Sequence, residues 1–226
     1  MITGITVSYN TQHLLQIAFN SIRKFHKDMP IILIDGSDSE NECYKYARTL
    51  DCELYQTDYN IGHGKGMDLA LSLCKTPYAL IFDSDIEMLK SPVSEMLKLM
   101  ESDTFGIGWC NEIASDGFDY GCKPHHKLEK PIKYLHPYFQ LINVENYHKF
   151  EPYCHHGAPC YKTMIDIHNR GLSDKIIKVF PGLGHTGGES INWKGSPKQY
   201  IRHDFGGTRI NNRKNGLKEI DGIWEK

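Results

Sequence analysis

Three observations predict an α/β fold with a mainly parallel central sheet flanked by helices. Apolar or β-branched runs alternate with helical stretches through the first hundred residues. The helical stretches carry apolar residues at i, i+3, i+4 and i+7 spacing. Polar and glycine-rich segments follow the strands, at the carboxyl edge where such sheets bind ligands.

The elements follow in order. GITVSY (4–9) is β-rich and leads into a helix with Leu15, Ala18, Phe19, Ile22 and Phe25 on one face, capped by Asn10 or Thr11. IILI (31–34) is an apolar strand, followed by a helix with Cys43, Ala47 and Leu50 inward. CELYQT (52–57) is a third strand, and NIGHGKG opens a helix with Met67, Ala70, Leu71 and Cys74 on one face. YALIF (78–82) is a fourth strand. Pro92 begins a helix with Val93, Met96, Leu97 and Met100 inward, as suits proline in a first turn. Beyond residue 104 the pattern loosens. FGIGWC (105–110), YFQLINV (138–144) and KIIKVF (175–180) read as strands, 160–170 as a helix ending at Gly171, and 111–134 as a long loop. No repeat or Pro/Ser-rich linker divides the chain. We expect one domain over 1–226, with a regular half (1–103) and an irregular half (104–226).

Composition narrows the function. A hydrophobic share of 40% and a charged share of 24% describe an ordinary globular chain of 226 residues. A net charge of −2 without a basic run argues against a nucleic-acid partner. The seven cysteines (43, 52, 74, 110, 122, 154, 160) are odd in number and irregular in spacing, which suggests reduced thiols. No stretch reaches the ~20 apolar residues of a membrane span, and MITGITVSYN lacks a signal-peptide pattern. The expectation is a soluble, cytoplasmic protein starting near Met1. Twelve histidines include His125-His126 and His155-His156, but no segment has the paired Cys/His spacing of a structural zinc site.

Four segments gather at the strand ends: Tyr9-Asn10, Asp35-Gly36-Ser37, Asn60 to Gly66, and Asp83 to Asp85. Side chains at i and i+2 of an extended chain point the same way. Asp83 and Asp85 then face one spot and suit a hard cation such as Mg²⁺ or Mn²⁺ that shares its shell with phosphate oxygens. The plainer reading is a polar turn. In NIGHGKGMD the glycines would let backbone N–H groups approach phosphate, with Lys65 adding a charge; a flexible turn is the alternative. The phosphate-binding G-x-x-x-x-G-K-[ST] is absent, because Gly66 follows Lys65, and G-x-G-x-x-G fails at Met67. Asp35 can accept an N–H of a base such as uracil, with Tyr9 and Asn10 stacking on and bonding to it. His203 in RHDFGGTR is a further phosphate or metal contact, or a structural histidine.

The set TVSYNT…IILIDGSDS…NIGHGKGMDLAL…YALIFDSDIEM resembles the nucleotide-sugar half of family 2-like glycosyltransferases of the GT-A fold, over about residues 3–90. The resemblance implies that Asp35 contacts the base and that Tyr9 and Asn10 line the base and ribose site, next to Ser37. It implies that Asn60 and Gly62 shape the nucleotide pocket. Asp68 stands where the family often has Asn. Asp83 would serve the ribose or the metal shell, and Asp85 would ligate Mn²⁺ or Mg²⁺. HTGGES (185–190) resembles a His-x-Gly-Gly-x-Ser segment, which would bring His185 to the diphosphate or metal. The implied reaction moves a sugar from a nucleotide-diphosphate sugar, a UDP-sugar, to a carbohydrate or other hydroxyl acceptor, with inversion. Many inverting members carry their base in a Glu-Asp pair before a late helix, and the comparable stretch 154–167 has none. Base candidates are Glu112, Asp116, Asp119, Glu145 and Glu151, with Glu112 nearest a strand end; without one, retention becomes open. A nucleotidyltransferase and an inactive nucleotide-sugar-binding module are the rivals.

Overall fold

The computed structural model describes residues 1–57, 59–113, 131–154, 158–184 and 200–203, and the backbone of 218–220 and 223–225. In chain order the elements are β1 (Ile2–Ser8), α1 (Gln12–Phe25), β2 (Ile31–Asp35), α2 (Glu42–Ala47), β3 (Glu53–Gln56), α3 (His63–Leu73), β4 (Tyr78–Phe82), β5 (Ile86–Met88), α4 (Val93–Lys98) and β6 (Gly106–Ile113). β7 (Ile132–Asn143), α5 (Val144–Tyr147), α6 (Tyr161–Asn169), α7 (Ser173–Ile176), β8 (Ile177–Val179), β9 (Ile201–His203), β10 (Lys218–Ile220) and β11 (Ile223–Glu225) complete the described set.

The central sheet runs β3-β2-β1-β4-β7-β6-β8. β7 is antiparallel to both neighbours and the other strands run one way, so the sheet is mainly parallel. Strand alternation divides the core. Ala79 and Ile81 pack with α3 and α6 residues such as Met67, Leu71 and Met164. Leu80 and Phe82 pack on the other face with Leu15, Phe19 and Ile22 of α1 and Met96 of α4. Side chains such as Leu15 and Ile22 are fully buried, each stabilising the fold by about 1.5–3 kcal/mol. Helices thus cover both faces, as the alternation required.

Four sequence readings change. β7 begins at Ile132, so part of the expected 111–134 loop is strand, and β6 continues to Ile113. The run at 175–180 splits into the end of α7 and the short β8. Asp83 to Asp85 is not extended: Ser84 and Asp85 form a turn between β4 and β5. β5, which the sequence did not suggest, pairs with β9 outside the main sheet, placing Ile86 opposite His203.

Candidate active site

The chain winds outward from β1 through β2 to β3, then returns to place β4 on the other side of β1. The crevice above β1 is therefore the switch point at which open α/β sheets bind ligands. Ser8, Asp35 and Gln56 stand in register at one side of it. Asp83 follows β4 at the other, its N–H donating to the Tyr138 carbonyl at 2.9 Å.

At the first corner Asp35 is fully buried. Its Oδ1 accepts hydrogen bonds from Ser8 Oγ at 2.8 Å and Ser37 Oγ at 2.7 Å, with a weaker contact from Ser37 N at 3.3 Å. The Cys43 thiol approaches the same oxygen at 3.9 Å. Oδ2 is buried with no hydrogen-bond partner among the described residues. Burial raises the Asp35 pKa from its ordinary value, and the Ser37 and Ser8 bonds only partly offset it. Ser37 Oγ also accepts from Asn10 N at 2.8 Å, latching the loop after β1 to the loop after β2. Asn10 adopts φ 54°, a left-handed conformation that asparagine tolerates better than most residues. Tyr9 is half-buried beside it, and burial raises its phenol pKa. The chain after β3 passes close over Gly36, where a Cβ would come 3.1 Å from Asn60 Cα and 3.3 Å from the Tyr59 carbonyl.

The second corner is built from ions. His203 Nε2 lies 3.2 Å from Asp85 Oδ1 and 3.6 Å from Asp83 Oδ2. One ligand atom from each of Asp83, Asp85 and His203 falls within 4.8 Å of the others. Two carboxylate oxygens and an imidazole nitrogen form a donor set that fits a divalent cation such as Mn²⁺. The convergence arises from the turn at 84–85 and from β9, not from an extended strand. Asp83 Oδ1 lies at ion-pair distance, 3.1 Å, from His63 Nε2. Burial alone would raise the Asp83 pKa, but the charge and hydrogen bond of His63, then His203 and His136, bring it down to about 2. Burial disfavours the His63 imidazolium, yet the Asp83 charge and hydrogen bond outweigh it and raise the ring's pKa. Tyr138 stacks on His203 with ring centroids 4.9 Å apart and planes within 6°. The β6–β7 register shifts between Gly108 and Cys110, alongside the stretch of β7 that carries Tyr138.

The remaining expected residues scatter. Gly64 and Gly66 lie inside the first turns of α3, and a Cβ on Gly66 would meet Val7 at 2.8 Å, so close helix–strand packing requires this glycine. The Gly62 N–H donates to Asn60 Oδ1 at 3.0 Å, and Gly62 has φ 85°. Lys65 is exposed. Asp68 is not part of the Asp83–Asp85–His203 cluster and accepts a 2.6 Å hydrogen bond from Tyr147 of α5. Glu112 is exposed, opposite Lys133 on the part of β6 and β7 that continues past the Asp83 edge. Glu145 follows Asn143, which pairs with Tyr78 at the opposite sheet edge, and it pairs with Lys149. Glu151 is exposed, its N–H bonded to Asp166. His185, Asp116, Asp119, His125, His126, His155 and His156 lie outside the described residues. Cys43, Cys52, Cys74, Cys110, Cys154 and Cys160 are free thiols. No helix among the described residues is long and apolar enough to cross a membrane. The sequence reading passed over His63, hidden among glycines, and His136, whose place depends on the β7 irregularity.

A mannosyltransferase of Pyrobaculum calidifontis, solved with GDP-Man and Mn²⁺, superposes with a TM-score of 0.57 at 14% identity, over 80% of this chain and 54% of the other. TarS of S. aureus (residues 1–349), solved with UDP-GlcNAc, gives 0.53 at 17% identity, over 79% and 55%. Glucosyl-3-phosphoglycerate synthase of Mycobacterium tuberculosis, solved with Mn²⁺, UDP-Glc and phosphoglyceric acid, gives 0.52 at 16% identity, over 79% and 69%. The chain thus spans little more than half of the first two. No curated protein matches it significantly. The profile of glycosyl transferase family 2 matches residues 4–166, about three-quarters of the chain, and with the GT-A fold of these structures it shows that the chain belongs to glycosyl transferase family 2.

Proposed function

We propose that this protein transfers a sugar from a UDP-sugar to a hydroxyl acceptor, a carbohydrate or another alcohol, with a divalent metal, Mn²⁺ or Mg²⁺, at Asp83, Asp85 and His203. The observation that carries the reading is the convergence of these three side chains at the switch point. The unsatisfied Asp35 Oδ2 at the neighbouring strand end supports it, since a buried acceptor without a donor suits a base N–H. Because that oxygen is sealed, the base reaches it only by displacing a covering group. Tyr9 and Asn10 line the base and ribose side, Ser37 holds Asp35, and Asn60 fixes the turn at Gly62. Lys65 and His185 are assigned to the diphosphate side. When bound, the metal acts as a Lewis acid that neutralises charge on the departing diphosphate. We assign residues 1–103 to the donor half and 104–226 to the acceptor half.

Inversion needs a carboxylate to take the acceptor proton. We assign Glu112, which stands beyond the sheet edge that Asp83 occupies, whereas Glu145 stands at the other. Retention is the second reading. It is favoured by residues 154–167, which carry no Glu-Asp pair. There the buried Cys160 at the start of α6 has its thiol pushed up to about 12 by burial and is no base.

Calorimetric titration with UDP and GDP, with and without Mn²⁺, tests the donor. The expected result is Mn²⁺-enhanced UDP binding that Asp85→Ala abolishes. Equal metal-independent affinity for both nucleotides sinks the reading. The product anomer, read by proton NMR, separates inversion from retention. UDP binding without transfer from any UDP-sugar favours an inactive module.

A further inference from the structure

We propose that His63 is a positioning residue: from the first turn of α3 it holds Asp83 Oδ1 and so presents Asp83 Oδ2 to the metal corner. The inference rests on the metal reading above. The two oxygens of Asp83 are divided between two rings, His63 Nε2 at 3.1 Å from Oδ1 and His203 Nε2 at 3.6 Å from Oδ2. His63 is not among the three side chains whose ligand atoms cluster, so it acts on the site through Asp83.

The support beneath His63 is rigid. Gly62 precedes it with φ 85° and its N–H tied to Asn60, and Gly66 N–H closes the turn on the Gly62 carbonyl at 3.0 Å. Three residues later the missing Cβ of Gly66 lets α3 lie directly on Val7 of β1. The loop's glycines therefore deliver one imidazole to a fixed place beside β4.

The need for such a group follows from charge. Asp83 and Asp85 side chains are only 16% and 9% exposed, and both lie within 3.6 Å of one nitrogen. Two carboxylates so placed repel, and a free Asp83 side chain would rotate away. A donor on the outer oxygen pins the rotamer and leaves the inner oxygen aimed at the shared point. Outer partners of this kind typically change metal affinity by about 10–100-fold.

The test measures Mn²⁺ affinity by electron paramagnetic resonance and UDP affinity by calorimetry on the full chain. His63→Ala should weaken Mn²⁺ binding by about tenfold and leave metal-free UDP binding unchanged. His63→Gln, which keeps a donor, should recover most of the loss. On an Asp83→Ala background, His63→Ala should add nothing, as expected for two residues acting as one unit. If His63→Ala fails to fold, His63→Leu takes its place in the cycle, filling the space without a donor. An undiminished Mn²⁺ affinity in the His63 variant overturns the proposal. So does an equal further loss on the Asp83→Ala background, which would mean that His63 meets the diphosphate itself. Wild-type protein that binds no Mn²⁺ overturns the metal reading and this proposal together.

Discussion

Asp35 and Asp83 end strands on opposite flanks of β1, yet their surroundings treat the same functional group in opposite ways. Asp35 is held by neutral donors, two serine hydroxyls and a thiol, and burial lifts its pKa. Asp83 is also little exposed, but imidazoles meet both its oxygens and its pKa falls to about 2. Burial alone does not decide the charge of a carboxylate; its partners do. One corner presents a buried acceptor held by neutral donors and suited to reading a hydrogen-bond pattern, while the other holds a negative charge suited to a cation.

The most severe way to break this contrast is Asp85→Ala. It removes a carboxylate from the ionic corner and should lower transfer by about a thousandfold, several kcal/mol of barrier. Steady-state kinetics with saturating Mn²⁺ measures it, and metal-free UDP binding should survive. Asp35→Ala strikes the neutral corner instead. It strands the hydroxyls of Ser8 and Ser37 and should cost about 2–3 kcal/mol of stability by urea unfolding.

Gly66→Ala disturbs both corners mildly by lifting α3 from Val7. About 1–3 kcal/mol of stability should be lost, read as a lower Tm, with weaker Mn²⁺ binding as His63 shifts. The smallest effect sharpens the comparison. The folded pKa of Asp35 lies above its unfolded value, so ionised Asp35 costs stability at neutral pH. That cost is relieved as pH falls through the folded pKa. Asp35→Asn should therefore be at least as stable as wild type at pH 7 and lack the acid-side gain, which unfolding curves across the acid range would reveal.

Much of residues 1–103 was legible because its signals are local. The apolar stripe of α1 and the uniform runs of β2 and β4 required no distant partner to be read, and the strand-end rule brought Asp35, Asp83 and Asp85 to one edge. The misreadings share a cause in distance. β5 is three residues long and exists through β9, more than a hundred residues later. The start of β7 was hidden because His136-Pro137 interrupts its pattern where the ladder with β6 breaks. The reason for Gly66 lies in Val7, on a different strand, which no local pattern could reveal.

The three-residue ladder between β5 and β9 also has a consequence for how the site is assembled. It closes a loop of roughly 120 residues, and the entropy of closure grows only logarithmically with loop length. During synthesis both aspartates leave the ribosome long before His203. The strands of residues 1–103 can pair while the Asp83–Asp85 turn still lacks the His203 imidazole. The metal site proposed above would thus be completed late, when one short strand docks.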